Sequence, residues 1–196
     1  MSQLTKGAMF GTAQFMVVVV SAALALVGTL IGGLSITPII PYLATLYVGV
    51  AFQLIFGDWF GVWGAIGVYI GCGIGELYLG FPVIFAFILV VVDFVQTMLF
   101  AFGGKTIKYN FGLKTARDWV FHIIWNGPVV NSIGGVYATL VFIYVFKFIG
   151  PAYFWPFFLG WVAGNVVVVL IIGTILLKFL SPYVMKTPLY VRGYVR

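Results

Sequence analysis

The chain has 196 residues, 63% hydrophobic and only 7% charged, with a mean hydropathy of +1.18. A soluble domain carries about 25% charged residues, so the composition excludes a water-soluble fold and points to a multi-pass protein of the cell membrane. The net charge of +6 therefore does not argue for a nucleic-acid partner, and one cysteine with one histidine leaves no internal disulfide, cysteine-based metal or iron–sulfur cluster, or two-histidine haem or copper site.

The first predicted span covers 8–34. Its start, Lys6 followed by an apolar run through "SAALA", imitates a signal peptide, but the run continues to Leu34, too long for a cleaved one. Ser21, Ala25, Thr29 and Gly33 recur in it at intervals of four, with Gly28 and Gly32 beside them. The connector "SITP" leads to a second span, 39–56, and a third covers 60–79. Around the third, in "FGDWFGVWGAIGVYIGCGIGELYLG", Gly57, Gly61, Gly64, Gly67, Gly71 and Gly75 return every three or four residues. At helical pitch they share a face. In lipid, helices associate by close backbone approach, which small residues permit, so this span is expected to be a tightly packed interior helix. Asp58 and Glu76, at its two ends, would lie ~27 Å apart along a helix and cannot form one carboxylate pair.

A fourth span, 82–102, carries Asp93 well inside its apolar run and Gln96 nearly a turn further on. The polar loop 103–118 follows. The fifth span, 119–148, holds "NGP" at Asn126 to Pro128, which predicts a break or kink. Asn131 lies beyond it, Trp125 and His122 before it, with His122 expected at the interface. The sixth span, 154–180, has Asn165 near its centre and leads to a polar tail, 181–196. The expected fold is all-α: a single domain formed by a compact bundle of six transmembrane helices.

Six spans put Lys6, the loop cations Lys105, Lys108, Lys114 and Arg117, and Lys178, Lys186, Arg192 and Arg196 on one side, leaving Lys147 opposite. The positive-inside rule makes both termini cytoplasmic. These charges read first as topology determinants. They would also attract acidic membrane lipids at ~1 kcal/mol each, or dock a cytoplasmic partner.

An ionisable group at mid-membrane costs ~2.5–3.5 kcal/mol and is a functional candidate by default. Asp93 is the clearest, since its carboxyl must be protonated, meet water or meet a cation. Gln14, Gln53, Gln96, Asn126, Asn131 and Asn165 read first as interhelical hydrogen-bonding glue, at about 1 kcal/mol each. The chain contains no GxSxG, HExxH, Walker A or paired-cysteine motif. "GWVAG" and "GCGIG" only mimic nucleotide loops, so neither an enzyme activity nor a cofactor or metal is expected.

The stretch "PYLATLYVGVAFQLIFGDWFGVWGAIGVYIGCGIGELYLG" resembles the substrate-binding S components of energy-coupling factor (ECF) vitamin transporters, and "GWVAGNVVVVLIIGTILLKFL" looks like their last helix. The resemblance implies a six-helix protein without chemistry of its own. Such a protein captures a micronutrient near the outer face and docks on a coupling protein driven by two ATPases. Docking would use small residues on the first helix, here Ser21 and Ala25 or Gly7 and Gly11. Carried over, the substrate pocket draws on Glu76, Tyr78, Asp93, Asn131 and Asn165, with Trp125 or Trp161 stacking on a ring. An acidic lining favours a cationic or amine-bearing ligand.

The competing expectation is a structural or accessory subunit of a large membrane complex with no ligand of its own. Its glycine faces would be subunit contacts and its tail would be held by a partner. The interior separates the two: a transporter component needs a cavity at Asp93, Asn131 or Asn165, whereas a scaffold fills that space.

Overall fold

The computed structural model describes residues 11–195. Expectations that fall on Lys6, Gly7, the start of the first span at residue 8 and Arg196 lie outside them. Among the described residues the fold is all-helical: α1 (Thr12–Gly33), α2 (Gly49–Phe60), α3 (Val62–Tyr78), α4 (Val83–Ile107), α5 (Ala116–Val145) and α6 (Pro151–Val184). Four of these, α1, α4, α5 and α6, are long and apolar enough to cross a membrane. Phe15, Ile84, Ile124 and Phe179 are each more than half exposed. They belong to an apolar outer surface that suits lipid rather than water.

Close contacts give the direction of each helix. Gly67, Gly71 and Gly75 of α3 meet Ser21, Ala22 and Thr29 of α1 in rising order, so α1 and α3 run parallel. Gly28 and Gly32 of α1 meet Gly49 and Tyr47 in falling order, so α2 runs the other way. The α4 helix is parallel to α2, with Gly57 against Thr97. In turn α5 returns along α4, pairing Gln96 with Asn131 and Leu99 with Trp125, and α6 returns along α5, pairing His122 with Thr174. Directions thus alternate. One end of the bundle, the tail end, holds the α2–α3 turn, residues 108–115 and the C-terminal tail; the other, the plug end, holds residues 34–48, 79–82 and 146–150.

The second predicted span is corrected. Residues 39–48 are not helical, because Pro41 has no N–H to donate and its ring obstructs the preceding turn. What remains, α2, has twelve residues, ~18 Å of helix. Every residue in it except Phe52 is buried, so α2 is a central post enclosed by the others.

The glycine stripe is corrected too, since it does not lie on one helix. Gly57 belongs to α2, and Gly61 turns the chain from α2 into α3 at φ +59°. A Cβ there would strike the Tyr194 carbonyl, so only glycine fits. Gly64 packs back on Phe56, and only Gly67, Gly71 and Gly75 face α1. Asp58 and Glu76 therefore sit at opposite ends of an antiparallel hairpin instead of along one helix. Ser21 and Ala25, expected as a docking face, are fully buried, Ser21 against Gly67 of α3, and so are not free for a partner.

The kink at "NGP" is present. Residues His122–Val129 widen into π-helix, with Gly127 at ψ −109°. Pro128 removes a backbone donor, and the Asn131 amide donates to the carbonyls of Asn126 (3.0 Å) and Gly127 (2.7 Å). The tail, expected to be held by a partner under the scaffold reading, is held by its own chain. Val191 N–H donates to the Trp59 carbonyl, Val62 N–H to the Tyr194 carbonyl, and the Trp63 indole to the Val195 carbonyl.

Candidate functional site

Residues 34–48 form a plug whose backbone is satisfied locally. Thr37 N–H donates to the Leu43 carbonyl, Thr45 N–H to the Ser35 carbonyl, and the Ser35 hydroxyl to the Gly32 carbonyl at 2.7 Å. Irregular backbone at membrane depth is tolerated where protein buries it or where it lines a cavity. Here it does both: Leu43 and Thr45 lie against Gly160 and Gly164 of α6, while Ile36, Tyr42, Ala44 and Tyr47 wall a partly open cavity of ≈ 40 Å³.

Two carboxyls face this cavity, Glu76 near the end of α3 and Asp93 in α4, and no Lys or Arg is among its lining residues. Helix α4 is distorted at Val90, so Asp93 falls in the first turn of the segment that follows, where the helix dipole favours a negative charge. The Gln53 amide of α2 donates to Asp93 Oδ1 at 2.6 Å, and the Cys72 thiol of α3 lies beside the same carboxyl. Tyr47 OH sits 3.2 Å from Cys72 Sγ and 3.0 Å from Thr29 Oγ1. Two donors are unpartnered: Asn165 Nδ2 and Trp161 Nε1 of α6. Aromatic rings complete the wall: Tyr42, Tyr47, Phe81, Phe142 and Trp161.

A second, more open concavity of ≈ 330 Å³ shares Ile36, Tyr42, Leu79 and Phe81 with the first. Tyr42 is held in the left-handed region at φ 64° and rests on Phe81, Phe142 and Phe148 at ring distances of 5.6–5.9 Å. Its ring lines both hollows.

Of the residues predicted for a pocket, Glu76, Asp93, Trp161 and Asn165 are brought together. Three are not. Tyr78 is 76% exposed on the outer surface. Trp125 lies towards the tail end, its indole donating to the Leu99 carbonyl and its ring stacked on Phe121. Asn131 is spent on the α5 kink. Sequence reasoning missed Tyr42, Tyr47, Thr29 and Cys72. Thr29 stood in the small-residue series of α1, but nothing local marked Tyr47, whose place depends on where α2 begins.

A second buried polar chain lies at the tail end. Tyr109 OH donates to Asp58 Oδ2, Asn126 Nδ2 donates to Tyr109 OH at 3.1 Å and lies 3.0 Å from His122 Nδ1, and His122 Nε2 lies 2.8 Å from Thr174 Oγ1. His122, expected at the interface, is fully buried among protein groups at this end of the bundle. The chain ties α2, the loop after α4, α5 and α6 together, and leaves two acceptors, Asp58 Oδ1 and Asn126 Oδ1, without a partner.

Fold and cavity thus describe a protein that is apolar and, among its described residues, all-helical, with a partly open acidic, aromatic chamber near one end. Compared with protein families, curated proteins and solved structures, the chain finds no match.

Proposed function

We propose that the protein crosses the cell membrane six times with both termini in the cytoplasm, and that it is the solute-binding component of a micronutrient uptake transporter. Substrate enters at the plug end, facing outward, and the protein docks on an ATP-driven coupling module. Two features support the topology. The helices alternate in direction, and Lys105, Lys108, Lys114, Arg117, Lys178, Lys186 and Arg192 gather at the tail end, with Lys147 opposite. The short α2 completes its crossing through the plug.

The observation that carries the functional reading is the chamber at Glu76 and Asp93. A scaffold subunit has no use for two carboxyls around an unfilled space. Two carboxyls without a lining cation require protons or a bound cation, and rings beside them favour an ammonium group. The unpartnered N–H groups of Trp161 and Asn165 suit an acceptor atom on the same solute. At ≈ 40 Å³ the chamber is smaller than the ~300 Å³ and above typical of sites for drug-sized ligands. The substrate is therefore a small amine, or its entry displaces the Tyr42 ring.

The test is extraction from the native membrane in mild detergent followed by mass spectrometry of what co-purifies. Two ATPases with a polytopic coupling protein are expected. Stoichiometric recovery with a large assembly that lacks an ATPase would overturn the reading and recast the protein as an accessory subunit.

A further inference from the structure

We propose a second ligand site, at the tail end, for a phosphate group carried by an anionic lipid or by a soluble phosphate compound. A concavity of ≈ 370 Å³ lies between the chain after α4 and the C-terminal tail. Lys105, Lys108 and Arg192 line it with Tyr109, Asn110 and Tyr190, and no Asp or Glu is among its lining residues. The site does not depend on the transporter reading.

Three like charges around one hollow repel each other unless an anion enters, so the position of the nearby acids decides the case. Asp58 is fully buried behind the wall, where Oδ2 accepts from Tyr109 and its backbone carbonyl accepts from the Lys105 amine at 3.0 Å. Asp118 is occupied by the start of α5: Oδ1 accepts from Asn110 N–H at 2.9 Å and Oδ2 from Thr115 N–H and Oγ1. Neither residue lines the hollow; Asp58 has its unpartnered Oδ1 behind Gly104, which does.

The wall itself is fixed. Lys105 also donates to the Val191 carbonyl and lies 5.3 Å from the centre of the Tyr190 ring, which pins the tail against α4. Lys105 thus contributes its field more than its hydrogen bonds. Lys108 and Arg192 are exposed and carry the free donors. Lys108 ends α4 in the left-handed conformation at φ 57°, where glycine would fit with less strain; a lysine there adds a charge to the hollow. Arginine offers a planar pair of donors to phosphate and lysine a point charge. One stands on the chain after α4 and the other on the tail, so a bridging phosphate would fasten the tail to the bundle.

The test is thermal unfolding of the full chain in detergent with added phosphatidylglycerol, phosphatidylcholine or inorganic phosphate. It compares the wild type, a Lys108→Gln/Arg192→Gln variant and a Lys114→Gln/Arg117→Gln control from the same end but outside the hollow. The expected result is a rise in Tm with phosphatidylglycerol but not phosphatidylcholine, at least halved in the first variant and kept in the control. A rise with inorganic phosphate alone, lost in the same variant, assigns the site to a soluble phosphate compound. An equal response to both lipids with none to phosphate, an undiminished rise in the Lys108/Arg192 variant, or an equal loss in the control would each overturn the proposal.

Discussion

Gln53 and Asp93, 40 residues apart in the chain, are joined from Nε2 to Oδ1 by a 2.6 Å hydrogen bond in the interior of the bundle. The bond gives a physical reason for the burial of α2, because a central post brings a donor to a carboxyl that no cation reaches. It also leaves Gln53 Oε1 without a partner, while the Cys72 thiol stands beside the Asp93 carboxyl.

Replacing Gln53 by Leu strands the buried carboxyl and is expected to cost about 1–3 kcal/mol. Asp93→Asn keeps an amide partner of the same shape and should change stability by less than about 1 kcal/mol. Thermal unfolding in one detergent compares the two. Equal midpoints would mean that the bond adds nothing to the fold.

Gly71 offers a contrast in packing. A Cβ at this position would enter the Ala22 backbone carbonyl, whereas one at Gly150 meets nothing within 4 Å. Gly71→Ala should therefore separate α1 from α3 and cost about 1–3 kcal/mol, as overpacking does, while Gly150→Ala stays within about 0.5 kcal/mol. Chemical denaturation of both variants checks the difference. A tolerated Gly71→Ala would show that the helices are not in close contact there.

Asn131 was expected in a pocket and is found closing a kink. Its amide serves two carbonyls beside Gly127 and Pro128, so Asn131→Leu should cost about 1–3 kcal/mol through unsatisfied backbone. In a Pro128→Ala background, where the ring no longer holds the kink open and the helix can close on these carbonyls, the same change should cost less. A double-mutant cycle measures this coupling, and strict additivity would contradict the clamp.

What was legible follows from cost. Glu76 and Asp93 stood out because ionisable groups in apolar runs are expensive wherever they point, and Asn165 and Trp161 because of their depth in a single unbroken span. Pro128 announced its kink for an equally local reason. Long-range partners were hidden: whether Asn131 faces a cavity or its own backbone depends on the helix it sits in, and apolar periodicity is weak when lipid and core are both apolar. The plug was misread because residues 39–48 are as apolar as a span. Pro38 and Pro41 were the available signal, and Tyr47 would have followed from taking them as a stop.

The single cysteine of the chain makes the chamber measurable. Cys72 is buried, with Sγ against Tyr47 and beside Asp93, so small thiol reagents should label the wild type slowly. Tyr47→Ala removes the side chain between the thiol and the cavity, and Tyr42→Ala in that background removes a ring that lines both the cavity and the outer concavity, so labelling should quicken at each step. Charge then reports the lining. A cationic ethylammonium methanethiosulfonate should react faster than its anionic ethylsulfonate counterpart by about an order of magnitude, since each tenfold requires only about 1.4 kcal/mol and two carboxyls face the route. Asp93→Asn should shrink that ratio. General loosening of the bundle exposes the thiol to both reagents alike, so a ratio near unity that Asp93→Asn leaves unmoved would mean that the carboxyls do not govern entry, and the cationic substrate would fall with them.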